Sequence, residues 1–151
     1  MKPTFFRFLA LMTVAVALTG LHRGVRAETP QDADAQKVQA VVAQQFSAFA
    51  MDDADTAFET ATPSVRETFG NAGVFLAVIR GMYPMVYQAA SVTFHKPLTD
   101  NGTAVQLVEI RNPEGGADSQ SWLAVFALER QPDNSWRISN CVVAQNHWQA
   151  V

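Results

Sequence analysis

From Gly73 to Phe94 the chain reads GVFLAVIRGMYPMVYQAASVTF, an apolar pattern with helical spacing that runs into a proline and then becomes a strand. Val74, Phe75, Val78, Ile79 and Met82 recur three to four residues apart, the spacing of one buried helix face. Pro84 lacks a backbone N–H and biases Tyr83 away from helix, which predicts that the helix ends or kinks at Met82 to Tyr83. After Ala89 and Ala90 the period changes to two, with Val92 and Phe94 set against Thr93 and His95. Helical patterns precede this stretch and strand patterns follow it. That order predicts one α+β domain with its helices on one face of a sheet.

The helical half begins with Ala35 to Met51, where Val38, Val41, Val42, Gln45, Phe46 and Phe49 keep one face and Asp32 or Asp34 can cap the start. Ala54 to Thr60 reads as a brief second helix. Thr62-Pro63 marks the next start, a threonine cap before a proline whose missing N–H costs nothing there, with Val65 and Phe69 facing inward and Gly70 closing the turn. Asp52, Asp53 and Asp55 lack the spacing of a calcium loop and read as a solvated helix junction. Four strands are expected, at Ser91 to Lys96, Thr103 to Arg111, Ser121 to Arg130 and Trp136 to Val143, with Pro97 stopping the first and Asp100-Asn101-Gly102 turning the chain. Short connections imply an antiparallel meander. Trp122 to Leu128, WLAVFAL, is apolar on both faces, and helices in one layer cover only one of them.

The ends differ from this middle. Lys2 and Arg7 precede an apolar run from Phe8 to Leu18, and Val25, Arg26 and Ala27 offer small residues for cleavage, so residues 1–27 read as a secretory signal peptide. The run is shorter than the roughly 20 apolar residues of a spanning helix. An uncleaved anchor is the alternative, since His22, Arg23 and Arg26 make the cleavage region basic. Residues 28–34 form a polar lead, 35–143 the domain, and 144–151 a C-terminal tail. Loss of Lys2, Arg7, Arg23 and Arg26 takes the net charge from −3 to −7, which argues against nucleic acid and anionic membranes as partners. The expected location is the periplasm or outside the cell.

The element order and the closing strand Ser135-Trp136-Arg137-Ile138-Ser139 resemble the cone-shaped fold shared by nuclear transport factor two and ketosteroid isomerase. Thr62-Pro63-Ser64-Val65-Arg66, Phe69, Phe75, Tyr83-Pro84-Met85-Val86-Tyr87, Val92 and Phe94 are similar to the secreted bacterial family called domain of unknown function 4864. The resemblance spans about Val38 to Val143. It implies three N-terminal helices packed on a curved four-stranded antiparallel sheet, a cystatin-like roll, and it implies no chemistry.

The cone fold commonly places a pocket between helices and sheet, where its enzymes use a buried carboxylate base and a tyrosine or aspartic acid donor. Candidate pocket-lining residues are Arg80, Tyr83, Tyr87, Phe94, Glu109, Trp122, Trp136 and Asn140. Glu109 suits a catalytic base, but with Arg111 two residues on it equally suits an exposed ion pair. His95 and His147 stand alone, no ligand set for a metal recurs, and Gly115-Gly116 opens no helix to cradle a phosphate. Cys141, the single cysteine, reads as a small core residue. No catalytic residue, metal or cofactor is therefore assigned. Two functions remain open: a non-catalytic domain binding a small apolar ligand or a protein partner, and a small hydrolase or isomerase using Glu109 with Tyr83 or Tyr87. A homodimer through the open sheet face is expected, with the tail carrying Trp148 as the alternative cover.

Overall fold

The computed structural model describes residues 29–112 and 120–146. The expected signal segment, the loop centre at 113–119 and the tail with His147 and Trp148 lie outside them.

Each helix begins at a polar cap that the sequence supplies. Thr29 caps α1 (Pro30–Ala50), accepting from the Asp32 backbone N–H at 3.2 Å, with Pro30 in the first turn. The helix thus takes in most of the expected polar lead, because the cap lies upstream of the aspartates assigned that role. Asp53 caps α2 (Ala54–Glu59), Thr62 caps α3 (Pro63–Phe69) and Asn71 caps α4 (Ala72–Met82). Gly70 closes α3 at φ +80°, a conformation costly for residues with a Cβ. The last bond of α4 runs from the Tyr83 N–H to the Ile79 carbonyl at 2.8 Å, and Pro84 then opens a separate turn, α5 (Pro84–Tyr87). The helix ends where Pro84 predicts. Its buried side differs from the expected one: Phe75 and Leu76 are buried with Ile79 and Tyr83 packed beside them, whereas Val74 and Met82 are exposed. Five helical segments stand where three were expected, since Pro63 and Pro84 set off the short helix α3 and the single turn α5.

Five strands follow: β1 (Ser91–Phe94), β2 (Leu98–Asp100), β3 (Thr103–Asn112), β4 (Gln120–Arg130) and β5 (Trp136–Asn146). All pairings are antiparallel, in the order β1-β3-β4-β5, with β2 beside β3 next along the edge from β1. The fifth strand is the short piece after Pro97. Asn101 and Gly102, both at positive φ, form the two-residue turn that joins it to β3. Between β1 and β2 the Gln106 side-chain amide donates to the His95 carbonyl at 2.6 Å, holding the break together from a fully buried position. At the far edge β5 continues to Asn146, past the expected end at Val143.

Alternation along the strands decides what meets the helices. Ala104, Val108 and Ile110 of β3, Ala124, Phe126 and Leu128 of β4, and Trp136 and Ile138 of β5 are buried against Val38, Val42, Phe46 and Phe49 of α1. Burial of side chains of this size contributes about 1.5–3 kcal/mol each. The other face, with Val105, Leu107, Leu123, Val125 and Val142, is partly or fully exposed. The face of WLAVFAL with Phe126 and Leu128 is the covered one.

Candidate functional site

A bulge in β5 opens space between sheet and helices. Ala127 pairs with Asn140 but Leu128 pairs with Ile138, so Ser139 is the extra residue, and its hydroxyl donates to the Ala127 carbonyl at 3.2 Å. Just before the bulge, the segment after α2 closes the edge of β5: Thr62 N–H donates to the Ile138 carbonyl at 2.9 Å and Ile138 N–H to the Thr60 carbonyl at 2.8 Å. The extra residue shifts the inward register, so that Cys141 and Val143 face the helices after it. Beside them lies a cavity of about 230 Å³.

Its walls are mainly aromatic and aliphatic: Phe49 of α1, Phe69 of α3, Phe75 and Ile79 of α4, Val86 of α5 and Phe126 of β4. Phe75 is the hub, with Phe69 edge-on at 5.1 Å and Phe58 and Phe49 at 5.7 and 6.2 Å between ring centres. The polar lining is neutral: Gln45, Tyr83, Ser139, Asn140 and the Cys141 thiol. Burial pushes that thiol up to about 12, far from the range of a reactive thiolate, so Cys141 is a soft apolar contact there.

Of the residues singled out in the sequence, Tyr83 and Asn140 line this cavity. Tyr87 and Phe94 line a neighbouring open groove between α1, α5 and β1, with Phe94 edge-on to Phe46 at 6.1 Å. Arg80 lies over the Tyr87 ring at 5.0 Å. Trp122 lines a third depression with Pro84 and Met85, and Trp136 is buried under the start of α1 with its N–H directed to Asp34 at 3.4 Å. Glu109 stands on the open sheet face, opposite Thr93 and Leu123 in register, and takes two hydrogen bonds from Arg111 at 2.8 and 3.0 Å. The sheet separates it from Tyr83 and Tyr87.

Asp52 escaped the sequence reading as anything but a solvated junction residue. It sits at φ +56° after α1 and accepts from both the Tyr87 hydroxyl and, at 2.7 Å, Arg80. The Tyr87 hydrogen bond, then that from Arg80, holds its carboxyl below the ordinary carboxylate range. Its positive φ marks a turn that aims the side chain across at α4 and α5. Among the described residues no group of three potential metal-ligating side chains comes together.

With this geometry in place, solved structures show the same architecture. A SEC-C motif containing protein from Rhodopseudomonas palustris matches with TM-score 0.53 and 18% identity over 68% of this chain and 75% of its own. A candidate dehydratase of the nuclear-transport-factor-two-like family from Streptomyces avermitilis matches with TM-score 0.53 and 15% identity over 78% of this chain and 99% of its own. A candidate ketosteroid isomerase from Parabacteroides distasonis has TM-score 0.47 and 14% identity over 80% of this chain and 90% of its own. At such identities the likeness to the first two is one of fold alone. Comparison of the sequence with curated proteins finds no match. The model of the family described as domain of unknown function (DUF4864) matches residues 31–151, the whole helix-and-sheet unit, and the chain belongs to that family.

Proposed function

We propose that this chain is a non-catalytic binding domain that holds a small apolar ligand between its helices and its sheet. The observation that carries this reading is the cavity wall, where aromatic and aliphatic side chains of the helices and of β4 and β5 surround about 230 Å³ and the polar groups among them are uncharged. A pocket built for acid–base chemistry needs a titratable group near the operating pH within reach of substrate. The rival hydrolase or isomerase reading needs Glu109 beside a tyrosine, and those groups occupy opposite faces of the sheet. Thermal-shift and calorimetric titration with toluene and ethylbenzene tests the proposal. Saturable binding that stabilises the fold is expected, and no binding by either would refute it.

Two further parts of the proposal concern where and in what state the domain works. The basic, apolar and small-residue order of the first 27 residues supports export with cleavage after Ala27. An intact mass equal to that of the uncleaved chain, in protein recovered from the periplasm, would count against it. Among the described residues no helix is long and apolar enough to cross a membrane. Val105, Val125 and Val142, exposed on adjacent strands, support a homodimer through the open face of the sheet. Light scattering is expected to give twice the chain mass, reduced to one chain by Val125→Glu. A parent protein of single-chain mass would overturn the dimer.

A further inference from the structure

We infer that the depression between α5 and the ends of β3 and β4 is a second binding site, and that it takes a neutral sugar stacked on Trp122. Among the described residues it shares no wall with the cavity proposed above, so the two stand or fall separately.

Strand pairing assembles one side of it. Asn112 and Gln120 stand opposite each other as the final pair of β3 and β4, and Trp122 follows two residues along β4, on the same face by the period of two. Further along, that face carries Ala124 and Phe126, buried under the helices. Trp122 lies at the margin of this cover: it packs against the core and is half-buried, and it also lines the depression. Pro84, Met85 and Gln88 of α5 and its C-terminal neighbour form the opposite side. The space between them is about 660 Å³, within the roughly 300–1,000 Å³ of small-molecule sites.

The polar groups of this site are amides. The Ala90 backbone N–H donates to Asn112 Oδ1 at 3.0 Å. A backbone N–H only donates, so the oxygen of Asn112 is the atom turned to Ala90 and its nitrogen, with two donors, is turned away. Gln88 and Gln120 are exposed, and each carries a donor and an acceptor side by side. No charged side chain lines the depression among the described residues.

These groups select the class of ligand. A sugar hydroxyl both donates and accepts, so adjacent hydroxyls match the paired N–H and oxygen of a side-chain amide. A pyranose with equatorial hydroxyls also has a flat face of C–H groups, which suits the negative face of an aromatic ring. A charged ligand finds no counter-charge on the described wall. A wholly apolar one strips water from the amides and returns no hydrogen bond. A proline-rich peptide suits a tryptophan, but its backbone lacks N–H groups and offers acceptors alone to amides that present both.

Nuclear magnetic resonance titration with cellobiose, sorbitol and tetraproline tests the site. Cellobiose is expected to shift the Trp122 indole N–H and the side-chain amides of Gln88, Asn112 and Gln120 saturably, with the buried Trp136 unmoved. Sorbitol has the hydroxyls but no flat ring face, and is expected to bind about tenfold more weakly. Gln120→Ala, at an exposed position, is expected to weaken cellobiose about threefold, and Trp122→Ala to abolish its binding. Absence of saturable shifts with cellobiose, shifts confined to the Phe49 and Phe75 walls of the cavity, sorbitol binding as tight as that of cellobiose, or tetraproline binding in its place would overturn the assignment. So would an unchanged cellobiose affinity in Gln120→Ala. Because Trp122 packs against the core, the comparison of cellobiose with sorbitol on the parent protein decides the stacking even if Trp122→Ala fails to fold.

Discussion

The two ends of α1 are fastened by the same chemistry in two different surroundings. At its start Asp34 accepts from Arg130 and from the Trp136 indole N–H at 3.4 Å, and the Arg130 guanidinium lies 5.0 Å over the Trp136 ring. Just past its end Asp52 accepts from Arg80 and the Tyr87 hydroxyl, and the Arg80 guanidinium lies 5.0 Å over the Tyr87 ring. In both an aspartate, an arginine and an aromatic donor each contact the other two. Exposure separates them. The side chains of Asp34 and Arg130 are 21% and 36% exposed over a fully buried tryptophan, whereas those of Asp52 and Arg80 are 61% and 54% exposed beside a half-buried tyrosine. Water competes for the second clasp and leaves the first largely alone, so matching geometry gives a firm joint at one end and a soft one at the other. The cavity lies toward the soft end, among Gln45 and Phe49 of α1 and the α4–α5 corner. On the binding reading proposed above, the looser fastening stands on the side of the cavity.

The largest test of this contrast is to delete both aromatics. Trp136→Ala is expected to cost about 3–5 kcal/mol in urea unfolding, the usual cost of emptying a buried tryptophan site, and Tyr87→Ala less than half of that. Equal costs would mean that the two ends are fastened alike. A smaller effect is expected at the corner between α4 and α5. Pro84→Ala lets α4 run on and frees the unfolded chain, and should lower stability by about 0.4–1 kcal/mol. An unchanged melting temperature would show that Pro84 does not set the corner.

The smallest effect concerns Asp52. Its carboxyl titrates below its ordinary value when folded, so its contribution is complete above the ordinary carboxylate range and is lost as pH falls through the lowered one. Asp52→Asn should therefore melt slightly below the parent at pH 7, the gap should close as the pH falls through the lowered range, and high salt should narrow it. A deficit that persists in acid would place the clasp's strength in neutral hydrogen bonds.

Much of this architecture was legible because single residues punctuate it. Pro84 ends α4, Thr62-Pro63 starts α3, Asn101-Gly102 turns the chain into β3, and the two apolar faces of WLAVFAL gave the orientation of β4. The site was less legible. Strict alternation along β5 puts Val142 on the face of Trp136 and Ile138, and only the extra residue at Ser139 turns Cys141 and Val143 to that face instead. Nothing local in Ile138-Ser139-Asn140 announces that bulge, which follows from the pairing of β5 with β4 and with the segment after α2. The face of Glu109 was ambiguous for another reason: β3 buries the polar Gln106 and exposes the apolar Val105, so polarity along it does not separate inside from outside. Gln45 reads in the sequence only as one member of the inward face of α1. Its amide donates to the Thr60 hydroxyl, 15 residues away, a contact that appears only in the folded chain.

Nuclear magnetic resonance titration of the isotope-labelled protein with toluene locates the binding site by residue. The cavity predicts saturable shifts clustered at Gln45, Phe49, Phe75, Ile79, Phe126 and Cys141, with Asp34, Arg130 and Trp136 unmoved. Shifts confined to the open groove of Phe46, Tyr87 and Phe94, or no shifts up to the solubility limit of toluene, would contradict it.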